Sequence, residues 1–319
     1  MNPPFTITSK ILEDIGRIER LIGRVEGLHQ PKPQPHLRKS NRVRTVQGSL
    51  AIEGNTLDLE QVTALIEGKV VIGKKEEIQE VLNAVKVYDS IERLDPYSMK
   101  NFLKSHGVMM RDLADRPGKL RSSNVGIIKG SVVSHVAPQA DRLDPLMKEL
   151  FAFLKNGEHH ALIRGCVFHY ELEFIHPFVD GNGRIGRFWH SLLLYDYHPV
   201  FEYIPVESLI KENQKEYYKA LEASDRIGNS TPFVEFSLSV IHQALADFLD
   251  VLQPAPFSPK KRLEIARSHF GDRSFSRKDY IRHLKTISSA TASRDLKLGV
   301  EQKFLSKEGA NAQTKYRYI

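Results

Sequence analysis

The sequence predicts a mainly α-helical chain: a helical bundle core broken by one small β-hairpin, then a separate, shorter unit at the C-terminus. Three observations carry that expectation. Apolar residues recur at spacings of three and four through most of residues 40 to about 250, as in Ile78, Val81, Leu82 and Val85. Between Asp115 and Met147 the pattern turns to alternation, with Val125, Ile127 and Val132 around a Lys129-Gly130 turn signal, which marks a short hairpin. Pro254-Ala-Pro256 and Ser258-Pro259 then punctuate the chain, and its charge changes behind them.

The elements follow in order. Ile11, Ile15, Ile18, Ile22 and Val25 predict an N-terminal amphipathic helix, followed by a proline-rich linker from His29 to Pro35. Ser40 to Gly54 reads as a helix closed by Gly54, with Ser49 and Glu53 near its end. Glu53 there meets the negative end of the helix dipole, so it calls for a partner elsewhere. Glu76 to Ile91 is a further helix, and Glu158 to Ile175 places Ile163, Val167, Tyr170 and Phe174 on one face of another. Pro177 stops it. Ile185, Phe188, Trp189, Leu192 and Leu193 resume helical spacing.

The chemistry lies in the turn between those last two helices, His176-Pro-Phe-Val-Asp-Gly-Asn-Gly-Arg-Ile-Gly-Arg187. Gly181 and Gly183 permit positive φ and close approach of the backbone to a ligand. The unpaired amides of a helix start, with its dipole, attract anions. Arg184 and Arg187, three apart, add forked donors for phosphate oxygens. Asp180 is a hard carboxylate suited to Mg²⁺, and His176 titrates near neutrality and can take a proton from an attacking hydroxyl. Glu173-x-x-His176 also has di-iron spacing, but the two further glutamates such a site needs are not identifiable.

His176, Phe178, Asp180, Gly181, Asn182, Gly183, Arg184 and Arg187 match in full the signature of the Fic family, which the chain therefore resembles. The resemblance implies a Fic-type helical bundle that moves AMP from ATP to a Ser, Thr or Tyr hydroxyl of a target protein. The residue matching His176 is the base, and that matching Asp180 holds Mg²⁺. The loop amides of Gly181 and Gly183, with Asn182 and Arg184, bind the nucleotide phosphates; Arg187 takes the γ-phosphate, and an aromatic like Tyr218 lies against adenine. Core packing explains the Tyr217-Tyr218 pair equally well. Ser49, Glu53 and Gly54 resemble the family's inhibitory motif, in which the glutamate pairs with the second motif arginine, here Arg187. Opposite charges ~4 Å apart at an effective dielectric of ~20 attract by ~4 kcal/mol before desolvation. The predicted hairpin corresponds to the family's flap, with Val125, Gly126, Ile127, Val132 and Val133 pairing with the target backbone.

Residues 258–319 hold 15 Lys and Arg against 6 Asp and Glu, so this tail is net +9 within a chain of net +7. Helices over Lys260 to Phe270, Ser276 to Leu284 and Ser289 to Val300 precede a hairpin around Gly309, resembling a winged helix-turn-helix with Arg294 and Lys297 facing DNA. A packing or interaction unit fits the same residues. The expected domains are 1–35, N-terminal helix and linker; 36–253, Fic catalytic domain with its inhibitory helix at about 40–54; and 258–319, winged helix. With 319 residues, 41% hydrophobic, and one cysteine, Cys166, the composition fits an enzyme of a reducing compartment without membrane span or leader, read as cytoplasmic. The expected partners are ATP and a hydroxyl-bearing protein, the chain itself included; DNA at the tail and a second copy of the chain stay open. A DNA-binding regulator that uses the nucleotide site as a sensor, and removal of AMP from a target, stay open as alternative functions.

Overall fold

A computed structural model describes residues 3–28, 35–129, 132–252, 257–284, 287–309 and 314–319. The chain divides into two compact units, Met1–Leu249 and Asp250–Ile319. Most of the linker expected at His29 to Pro35, and Gly130 of the hairpin turn, lie outside the described residues.

In the larger unit, helix α1 (Ser9–Glu26) starts at Thr8, whose hydroxyl accepts the Ile11 N–H, and buries Ile11, Ile18, Leu21 and Ile22. Ile15 and Val25, expected on that face, are only half-buried. Then come α2 (Pro35–Ile52), α3 (Leu59–Ile66), α4 (Lys75–Tyr88) and α5 (Met99–Met109). The hairpin follows as β1 (Gly126–Lys129) and β2 (Val132–Val136), antiparallel, with a register shift between Ile127 and Ile128. Val125 stands just before it. Helices α6 (Leu143–Asn156), α7 (Ala161–Ile175), α8 (Asn182–Tyr197), α9 (Val206–Glu212), α10 (Gln214–Ile227) and α11 (Thr231–Leu252) complete the helical series.

The core forms where helices α2 to α8 meet, and aromatic rings fill its centre. Phe102 lies 5.6 Å from Phe151, 5.6 Å from Phe178 and 5.1 Å from Trp189, centroid to centroid. Each such ring contributes ~1.5–3 kcal/mol by leaving water. Because Phe178 belongs to the turn between α7 and α8, that turn is pinned to the core. At Gly48, α2 touches α9 so closely that a Cβ would lie 2.9 Å from the Ser208 nitrogen. Close approach here sets the position of the C-terminal end of α2.

The smaller unit holds α12 (Pro259–Phe270), α13 (Arg277–Leu284), α14 (Ser289–Glu301) and the antiparallel pair β3 (Leu305–Glu308) and β4 (Lys315–Tyr318). Gly309, at φ +77°, leads out of β3, and Phe275 bridges to Tyr316 beside the hairpin. Phe270, Phe275, Tyr280, Leu296 and Tyr318 make a separate core. No helix among the described residues is long and apolar enough to cross a membrane.

Candidate functional site

Helix α7 ends at His176, which adopts the left-handed conformation (φ 48°, ψ 61°) and gives its N–H to the Leu172 carbonyl. A non-glycine residue in that region is costly and persists only where its surroundings hold it. Arg121 supplies the hold. Its Nε donates to the His176 carbonyl at 2.8 Å, Nη1 to the Ser123 carbonyl at 2.8 Å, and Nη2 to the Pro138 and Ile175 carbonyls at 2.6 and 3.3 Å. Its backbone N–H adds a bond to the Pro177 carbonyl, so one buried guanidinium ties both ends of the hairpin to the histidine turn.

The rest of the turn is built from inside. The Asn182 carboxamide, expected to help bind phosphate, accepts the Phe178 N–H and donates to the Phe178 carbonyl, both at 2.9 Å, and so closes the loop. His106, from α5, stacks on Phe178 at 3.5 Å. Its Nδ1 accepts the Gly118 N–H, which leaves Nε2 to donate to the Asp180 carbonyl at 2.9 Å. Burial pushes His106 down to about 4, so the ring works as a neutral strut. Gly181, at φ +82°, has Met110 Sδ 2.5 Å from where a Cβ would stand. Only glycine fits.

Both motif arginines are buried and engaged. Arg184 gives Nη1 to Glu80 at 2.6 Å and Nη2 to Asp180 at 2.9 Å. Glu80, from α4, accepts in turn from Asn55 at 2.8 Å, two residues past Glu53. Arg187 donates Nη2 to Glu53 at 2.6 Å and to the Ser49 carbonyl at 3.0 Å, and Nε to the Ser49 hydroxyl at 3.2 Å. Helix α2 ends at Ile52, so Glu53 sits in the turn beyond it, ahead of Gly54 at φ +94°. Burial alone would lower the Arg187 pKa; the charges of Glu53, Tyr217 and Glu173 outweigh it and raise the value. A Cβ on Gly183 would stand 2.5 Å from Glu53 Oε1, so the Glu53 carboxylate rests against the amide-bearing start of α8. Glu173, from α7, is pushed up to about 7 by burial and by Glu53, against the pull of Arg187.

The structure thus brings Ser49, Glu53, Asp180, Gly181, Asn182, Gly183, Arg184 and Arg187 together around one turn. Tyr218 is 38% exposed on α10, and burial and then the Glu53 charge raise its phenol. Tyr217 is buried, with its hydroxyl 3.3 Å from His169 Nε2. Cys166 is buried and its thiol pushed up to about 12, which leaves it inert. Among the described residues no group of three or more His, Cys, Asp or Glu is placed to hold a metal ion. Glu80, His106 and Arg121 were not singled out from the sequence, where each stands without a neighbouring pattern.

A model of the Fic/DOC family matches residues 96–194. The protein adenylyltransferase Fic of Aedes aegypti is 28% identical over 224 residues, 66% of this chain and 42% of that protein. Its namesake in Drosophila melanogaster is 30% identical over 215 residues, 63% of this chain and 41% of that one. The chain thus matches less than half the length of these relatives. A solved Fic family protein from Desulfovibrio desulfuricans G20 is 38% identical with a TM-score of 0.76, covering 100% of this chain and 98% of that one. A Fic domain containing signaling protein from Bacteroides thetaiotaomicron VPI-5482, at 19% identity and a TM-score of 0.63, shares the fold over 76% of this chain and 100% of its own. With the motif turn complete and a relative of this identity aligned along the whole chain, the protein belongs to the Fic family.

Proposed function

We propose that the chain transfers AMP from ATP to a hydroxyl of a protein, and that Glu53 restrains the reaction by holding Arg187. The observation that carries this reading is the Glu53–Arg187 contact at 2.6 Å against Gly183, within a complete motif turn. On this reading the loop amides and Arg184 bind the phosphates, and His176 takes the proton of the target hydroxyl as its oxygen attacks the α-phosphorus. The bond from that phosphorus to the bridging oxygen breaks, and pyrophosphate leaves. Arg187 serves the γ-phosphate once Glu53 has moved aside. The hairpin β1–β2 offers the target segment a backbone edge, and Tyr218 stands on the adenine side. A second copy of the chain is one candidate target.

Asp180 fits Mg²⁺. Its side chain is 57% exposed and anchored through Oδ1 by the Gly181 N–H and Arg184, and a single carboxylate beside a phosphate loop is the usual protein share of such a site. When bound, the ion would neutralise charge on the α- and β-phosphates.

The test is labelling of protein by α-³²P-ATP with Mg²⁺, using wild type, Glu53→Gly and Glu53→Gly/His176→Ala. A charge-assisted contact is worth ~1.5–3 kcal/mol, so labelling should rise about 10- to 100-fold in Glu53→Gly. Adding His176→Ala should abolish it. Equal labelling of wild type and Glu53→Gly removes the restraint from the account, and no label in any variant leaves a nucleotide sensor. Removal of AMP with Glu53 positioning water is read in a separate assay: on that reading wild type would clear label from a pre-labelled target and Glu53→Gly would not.

A further inference from the structure

The smaller unit carries features that nucleotide transfer leaves unused. A groove of about 950 Å³ runs between the start of α13, the outer side of α14 and the β3–β4 hairpin. Its walls gather Arg277, Lys278, Lys297 and Lys307 against one carboxylate, Glu301, which stands 3.8 Å from Lys297. These four cations come from two helices and a strand, and all four are exposed.

The orientation of α14 is fixed from within. Asp295, 1% exposed, accepts Nε and Nη2 of Arg262, both at 2.6 Å, and the Tyr280 hydroxyl at 3.3 Å. This bidentate pair, with Ala292 and Leu296 in the core, turns Arg294 and Lys297 outward. Ser289 and Ser293 keep the groove wall low, and Arg277 donates to the Ser293 hydroxyl at 3.0 Å. A helix of this length is ~20 Å long and ~10–12 Å wide with its side chains, and the major groove of B-DNA is ~12 Å wide. The cations come from α13, α14 and β3 around a groove of this size, which has room for more than a single small anion.

We propose that this face of the smaller unit binds duplex DNA, with α14 in the major groove, Arg294 and Lys297 towards the base edges, and Arg277, Lys278 and Lys307 on flanking phosphates. Helices α13 and α14 then act as a helix-turn-helix and the β3–β4 hairpin as its wing. An acidic protein segment is the competing occupant; the match between the width of α14 and that of the major groove favours the duplex. The inference stands apart from the transfer reading, because none of its residues belongs to the motif site.

The experiment is fluorescence anisotropy of a labelled duplex of about 25 base pairs with the full chain, at roughly 50 to 300 mM salt. Binding should weaken steeply with salt. Arg277→Glu/Lys278→Glu should cut affinity at least about tenfold and lower the slope of log K against log salt by about 2, from ~0.9 per phosphate lost. Lys260→Glu/Lys261→Glu carries the same change of net charge on α12, away from the groove, and should change affinity by less than about threefold. Equal thermal melting of both variants and wild type shows that all are folded. Absence of binding at the lowest salt, equal loss in both variants, or equal competition by polyglutamate overturns the proposal.

Discussion

At the scale of single residues, Arg121 shows how a side chain away from the phosphates governs the reacting group. Its guanidinium reaches carbonyls on both flanks of the hairpin and in the His176 turn, where the histidine holds a left-handed conformation. Lysine keeps the charge but has no planar fork. On the transfer reading, Arg121→Lys in the Glu53→Gly background should lower kcat about 10- to 100-fold, the equivalent of ~1.5–3 kcal/mol, and move KM for ATP by less than about threefold. Steady-state labelling at varied ATP separates the two constants; an equal loss in binding would assign Arg121 to the nucleotide instead.

At the scale of elements, the position of α2 depends on a missing side chain. Alanine in place of Gly48 gains up to ~1 kcal/mol of helix propensity, but its Cβ meets the backbone of α9, which cannot swing away. Overpacking of that kind costs ~1–3 kcal/mol, so Gly48→Ala should lower stability in urea melts despite the better helix former. The end of α2 carries Ser49 and leads directly into Glu53, so the same substitution should also raise labelling above wild type; unchanged labelling would mean that α2 tilts without releasing Arg187. Most helices were legible from spacing, because a one-sided apolar stripe has a single explanation. Helix ends were less so: α2 stops at Ile52, one residue short of Glu53, because the chain turns there through Gly54. The site was legible where it is contiguous, from His176 to Arg187, and at Glu53, whose place at a helix end called for a cation. Glu80, His106 and Arg121 act through contacts with residues 104, 74 and 55 positions away, which no local pattern records. Asn182 shows the converse, a motif residue whose visible work is internal to the loop.

At the scale of the whole molecule, buried ionisable groups pull stability in opposite directions with pH. His106 and His190 are held by burial at about 4, below the ordinary 6.5, so the unfolded chain takes protons first and stability falls as pH drops from 6.5 towards 4. Glu171 and Glu173 are raised to about 7 from 4.5, so stability falls as pH rises from 4.5 through 7. The two trends oppose each other between those limits. Glu173→Gln removes one of them: chemical denaturation should find the variant more stable than wild type at pH 8 and without that gain at pH 4.5, and a gain of equal size at both would refute a buried, proton-holding carboxyl. One consequence follows from the Glu53–Arg187 contact being made inside a single chain, across 134 positions. Tethering of this kind gives the carboxylate a local concentration of order millimolar or above that dilution does not lower. On the proposed reading, spreading the protein thin therefore does not by itself open the clasp, whereas a competitor for the arginine or a force on α2 would.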